Sequence, residues 1–196
     1  MDKNQAYIQN LSIKEVPWHR LTTPYGRATD FPEYFKTIQN AADTAEIETA
    51  LGELLSNIEH QGTLWHSTPF AMIFLARIFE NSVSEMGQSG RADFIITQLL
   101  SFFELIAECF HDAEDMGMSE DTDPLPDFSD MLKEEYLWSE EYNEEEDEQR
   151  YEDGAFPDDL FYSFWFYSYQ VLLFCKPMFK KLENTDFDTE DLLALL

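Results

Sequence analysis

The sequence predicts an all-α fold, and three observations carry that expectation. Apolar residues recur three and four apart through most of the chain, the spacing that lines one face of a helix. No alternating apolar run is bounded by a hairpin dipeptide such as Asn-Gly or Asp-Gly, so strands have almost no signal. With 44% hydrophobic residues, including 17 Phe, 9 Tyr and 4 Trp, the chain is too apolar to stay disordered despite its charge. At 196 residues it can build one core but not two good ones, so a single domain over 1–196 is expected.

Residues 1–29 read as an irregular N-terminal segment, because Pro17, Pro24 and Gly26 supply turn chemistry around Trp18. Asp30 can cap a first helix with Pro32 in its opening turn, presenting Phe31, Phe35 and Ile38 as far as about Asn40. A second helix starts near Thr44 and places Ile47, Leu51, Leu54, Leu55 and Ile58 on one face, ending before Gly62. Thr68 and Pro69 open a third, carrying Phe70, Ile73, Phe74, Leu75, Ile78 and Phe79. A fourth, about Arg91 to Ala113, is apolar on most sides and belongs in the centre. Residues 30–115 thus read as helical hairpins. Between 116 and 156 the composition turns to Asp, Glu and Pro, with a short helix over Met131–Trp138 running into the carboxylates Glu140–Glu148. A sixth helix opens at Pro157, with Asp158 and Asp159 in its first turn and Lys176, Lys180 and Lys181 near its end, matching the helix dipole. Asp188 can cap a last short helix, Glu190–Leu196, within the C-terminal helices of 157–196.

Charge narrows the function. Forty Asp and Glu against twelve Lys and Arg give a net charge of -28. Between Asp112 and Asp159 there are 21 acidic and two basic residues, so a quarter of the chain holds -19 of that total. Nucleic-acid binders need a basic stripe and anionic membranes repel this sign, so neither direct nucleic acid nor membrane is an expected partner; a cationic protein is. The competing reading is a solvated acidic loop that serves solubility.

Catalytic and metal motifs are missing. Cys109 and Cys175 lie far apart in apolar helical runs and read as buried free thiols. His19, His60, His66 and His111 belong to no HExxH, and no GxSxG, GxGxxG or P-loop occurs. His60 and His66 flank a turn but lack the Cys or carboxylate spacing of a zinc site, and the acids contain no EF-hand loop. No catalytic residue, metal or cofactor is therefore expected. A carboxylate-pair hydrolase remains the competing class. Residues 1–10 carry no apolar signal-peptide core and Phe161–Phe174 is too short to span a bilayer, which makes the cytoplasm the expected location.

One stretch goes beyond composition. Val16-Pro17-Trp18, Pro24-Tyr25-Gly26, Ala28-Thr29-Asp30-Phe31-Pro32, Ala50-Leu51 with Leu54-Leu55, and Ile58 with His60-Gln61-Gly62-Thr63 resemble bacterial HEAT-repeat-like proteins over about residues 16–80. The resemblance implies HEAT-like, α-solenoid-like hairpins followed by an acidic C-terminal helical extension. Similar small acidic proteins serve as immunity proteins of polymorphic toxin systems (contact-dependent inhibition, Rhs or type VI secretion). The partner it implies is a cognate toxin, and an adaptor without a toxin is the alternative.

Joined to the charge map, this places the partner-binding surface on the acidic segment: Glu134, Glu135, Tyr136, Trp138, Glu140, Glu141, Tyr142, Glu144, Glu145, Glu146, Asp147, Glu148, Tyr151, Glu152 and Asp153. A toxin that acts on nucleic acid presents Lys and Arg to phosphate, and carboxylates compete for that field. The interleaved aromatics are the candidate anchors.

Overall fold

The computed structural model describes residues 3–120, 124–152, 156 and 158–196, the side chains of Tyr151, Asp158 and Asp159 excepted. The expected opening of a helix at Pro157, and the roles expected of Asp153, Asp158 and Asp159, lie outside what is described.

The first departure from expectation is at the N-terminus. Residues 3–10 form a helix, α1 (Lys3–Asn10), before two 3-10 turns at Ile13–Glu15 and Trp18–Arg20. Alone, eight mostly polar residues would not hold a helix. Here the Arg77 guanidinium donates to the carbonyls of Ile8 and Leu11 at 2.7 Å each, and Tyr7 packs on Phe128. A small hairpin, β1 (Thr22–Thr23) and β2 (Gly26–Arg27), follows.

The central helices fall where periodicity places them. They are α2 (Phe31–Asn40) and α3 (Thr44–Ser56), then α4 (Thr68–Ser84) and α5 (Gly90–Asp115). Asp43 caps α3 by accepting from the Ala45 N–H, and Pro32 and Pro69 sit in first turns, where a missing N–H costs nothing. Between the two pairs lies a second hairpin, β3 (Glu59–His60) and β4 (Thr63–Leu64). Its turn residues Gln61 and Gly62 have φ of 54° and 79°. Positive φ at both central positions is the twist of a tight two-residue hairpin turn, which gives His-Gln-Gly-Thr a physical reason.

α4 is buried along almost its whole length between α2, α5 and α7 (Asp158–Leu182). Rings of Phe79, Phe103 and Phe179 meet where α4, α5 and α7 cross, with centroids 5.4–5.8 Å apart. α7 therefore completes the core instead of extending it. α8 (Glu190–Leu195) packs on α5 and α7; its N-cap is Thr189, with Asp188 accepting from the Glu190 N–H. Cys109 and Cys175 are free and buried, and burial pushes both thiols up to about 12. α5 is long and apolar enough to cross a membrane by length and composition, and its faces pack on α3, α4, α7 and α8.

The acidic segment departs most. Met131–Trp138 is not a helix: a 3-10 turn at Phe128–Leu132 leads into a turn and an extended strap, and α6 begins only at Glu144 and ends at Glu152. Phe128, Met131, Leu137 and Trp138 are buried, so apolar plugs at irregular spacing and not a helical face fix this stretch.

Candidate functional site

Two arginines from the segment that reads as irregular hold the acidic strap down. Arg27, on β2, has a side chain 4% exposed, and it meets the Asp147 carboxylate, 10% exposed, through two parallel N–H···O bonds of 2.7 Å. Its remaining N–H groups donate to the carbonyls of His19 and Ser139 at 2.9 and 2.7 Å. The guanidinium also lies 5.7 Å from the ring centroid of Trp138 and 5.3 Å from that of Tyr142. A buried charge is tolerable only when its donors are used and its counter-charge is close, and Arg27 meets both conditions.

Arg20 makes the second clamp. It donates through both terminal nitrogens to Glu134 and through Nε to the Trp138 carbonyl, while the Trp138 backbone N–H donates back to the Arg20 carbonyl at 3.2 Å. These hydrogen bonds raise the Arg20 pKa and hold the Glu134 carboxyl below the usual carboxylate range. Glu140 lies 3.6 Å from Arg20 and 2.9 Å from His19 Nε2. The clamps explain why 133–143 does not continue as a helix. The strap's backbone groups are taken by Arg20 and Arg27 before the helical ladder can use them.

Between the β1–β2 hairpin and α6 the clamps leave a cleft of about 310 Å³. Four aromatic residues line it, Tyr25, Trp65, Trp138 and Tyr142, together with Glu144, Asp147 and Glu148. Thr22, Thr23, Pro24 and Gly26 complete the lining. Trp138 and Thr22 are buried, and neither Trp138 Nε1 nor Thr22 Oγ1 has a hydrogen-bond partner among the described residues.

The expected site residues divide in three. Glu134, Glu140 and Asp147 are neutralised within the chain, and Trp138 is a buried wall; Tyr136 is half-buried against the core. Within the chain they serve as the platform of the strap. Glu135, Glu141, Glu144, Glu145, Glu146, Glu148 and Glu152 are exposed without an ion pair among the described residues, and Tyr142 is 64% exposed. Asp153 and the Tyr151 side chain lie outside the described residues. Sequence reasoning missed Arg20, Arg27, Tyr25 and Trp65. A signal existed for the arginines: in a chain with twelve cations, two fall within eight residues of a Pro/Gly-rich segment that has no acid of its own between Val16 and Thr29.

The histidines are held as structural groups. Tyr25 Oη lies 3.2 Å from His60 Nδ1, and His111 Nε2 lies 2.8 Å from the Leu195 carbonyl. His66 is fully buried, stacked on Phe164 at 5.3 Å, with Nε2 donating to the Met131 carbonyl at 2.8 Å; burial lowers its pKa to about 4. Among the described residues no three His, Cys, Asp or Glu side chains gather as a metal site.

Fold and site together define an all-α protein with an arginine-clamped acidic face. Compared with family models, curated proteins and solved structures, the chain matches none of them.

Proposed function

We propose that the chain is a non-catalytic inhibitor, an immunity protein that acts in the cytoplasm by covering the cationic surface of a cognate bacterial toxin directed at nucleic acid. The observation that carries this reading is the separation of the acids into two sets. Glu134, Glu140 and Asp147 anchor the strap, while seven further glutamates from Glu135 to Glu152 face solvent without an ion pair among the described residues. Like charges crowded on one face cost self-repulsion, and a fold that fixes them there with buried arginines displays a field. That field raises association rates with a basic partner and competes with phosphate for the same lysines and arginines. The HEAT-like resemblance of residues 16–80 supports the class. A hydrolase would need a carboxyl raised by burial inside the cleft. Glu104, which burial does raise, lies on α5 and does not line it.

The test is co-expression with the toxin domain encoded by an adjacent reading frame. Growth should be restored, and the purified pair should associate at a rate that falls steeply between low and physiological salt. Absence of both rescue and association overturns the proposal. So does robust turnover of a nuclease, glycosidase or phosphatase substrate that a single carboxylate substitution abolishes.

A further inference from the structure

We propose that the cleft between the β1–β2 hairpin and α6 receives one arginine side chain, carried on a peptide loop of the basic partner. This rests on the reading above and adds which group is recognised and where. Glu144 and Glu148 are one helical turn apart on α6, both line the cleft, and neither has an ion pair among the described residues. Like charges at this spacing repel, and a cation entering between them relieves the repulsion. The cleft is also lined by the aromatic residues Tyr25, Trp65, Trp138 and Tyr142, whose ring quadrupoles favour the same sign. Arg27 shows the chemistry at work next door: its guanidinium sits beside Trp138 and Tyr142 and forks onto Asp147, the third acid of the cleft.

Two of the lining residues carry buried polar atoms that say what else the ligand brings. Trp138 is 6% exposed and Thr22 is 1% exposed, and Trp138 Nε1 and Thr22 Oγ1 have no partner among the described residues. An indole N–H needs an acceptor. A bare metal or ammonium ion offers none, whereas an arginine within a peptide brings its own carbonyl. Between the two cationic side chains the site favours arginine. A planar guanidinium stacks on aromatic rings and forks to carboxylates, and it is less strongly hydrated than an ammonium. At about 310 Å³ the cleft is at the small end of ligand pockets and suits one side chain.

The 196-residue chain has four tryptophans, so its indole N–H signals in a ¹⁵N correlation spectrum are few, and Trp138→Phe identifies the one from Trp138. The probes are acetyl-Gly-Arg-Gly-amide, its citrulline and lysine counterparts, and free arginine. The Trp138 signal should shift saturably with the arginine peptide. Binding should weaken about tenfold or more for the neutral citrulline peptide and in the E144Q/E148Q chain, and more modestly for lysine. No saturable shift, or equal binding of the citrulline peptide, overturns the proposal; equal binding of free arginine overturns the peptide-loop assignment. Toxin neutralised equally by the wild-type and E144Q/E148Q chains removes the cleft and leaves the acidic-face reading standing. A bound arginine peptide with no toxin neutralised does the reverse.

Discussion

The helices between Phe31 and Asp115 and the strap between Phe128 and Glu152 reach fixed structures by opposite routes. The helices are held by area: apolar side chains at helical spacing meet α7 in a continuous core that contains Phe31, Phe35, Phe70, Phe79 and Phe103. The strap enters that core only at Phe128, Met131 and Leu137, and beyond these plugs Arg20 and Arg27 hold it from outside through Glu134, Glu140 and Asp147. The difference teaches why one part of an acidic chain can be rigid scaffold and another an adjustable surface. Dispersed apolar burial survives loss of any single contact, whereas a clamp of two arginines fails when one is removed.

The largest effect should come from the core. Phe103→Ala removes a fully buried ring from the junction with Phe79 and Phe179, and should lower unfolding free energy by about 3–5 kcal/mol, read as a lower urea midpoint with an unchanged slope. Arg27→Met attacks the strap instead. It leaves the Asp147 carboxylate buried without its counter-charge, which costs about 3 kcal/mol unless the strap lets go. The expected readout is faster hydrogen exchange over residues 134–150 with the α4 and α5 amides unmoved. Equal acceleration in both regions would show that strap and core are one cooperative unit.

His66 joins the two regions and sharpens the comparison through pH. Its folded pKa, about 4, lies below the ordinary 6.5 because burial penalises the imidazolium. The unfolded chain therefore binds the proton first. Stability from neutral His66 is fully present above pH 6.5 and is lost as pH falls toward 4. Between pH 7 and pH 5 the loss should be about 2 kcal/mol more in the wild type than in His66→Phe, from urea midpoints at the two values. The comparison cancels the carboxylates common to both chains.

How much of this was legible follows from the same division. Periodicity places α2 to α5 within a few residues, because burial on one face imposes the repeat. Pro69, opening α4, and Asp43, capping α3, are local chemistry that a sequence displays. α1 was invisible, since the Arg77 contacts with the Ile8 and Leu11 carbonyls cross more than sixty residues and no local pattern encodes them. The strap was misread as a helix for a related reason: Met131, Leu132, Tyr136 and Leu137 mimic helical spacing, but Arg20 takes the backbone of Trp138. Of the site, the acidic character and Tyr142 could be read directly. Which acids are spent inside the chain could not, because Arg20 and Arg27 are more than a hundred residues away in sequence.

The smallest expected effect on stability is also the one that separates display from support. Glu141, Glu145 and Glu146 are exposed, form no ion pair among the described residues and do not line the cleft. Replacing all three by Gln removes three negative charges while leaving both arginine clamps whole. Glu145 and Glu146 lie in the first turn of α6, where negative charge favours the helix dipole, yet they stand among Glu144, Asp147 and Glu148, whose repulsion they increase. The two contributions oppose each other, so unfolding free energy should move by no more than about 0.5 kcal/mol. Association with a basic partner should respond quite differently. Each exposed carboxylate adds to the long-range field, so the triple variant should associate more slowly at low salt and show a shallower salt dependence, with dissociation little changed. Stopped-flow mixing at several salt concentrations, beside urea unfolding of the same protein, reads both quantities. A variant that loses stability but keeps its association rate would place these glutamates with the platform, and the division between clamp and display would have to be redrawn.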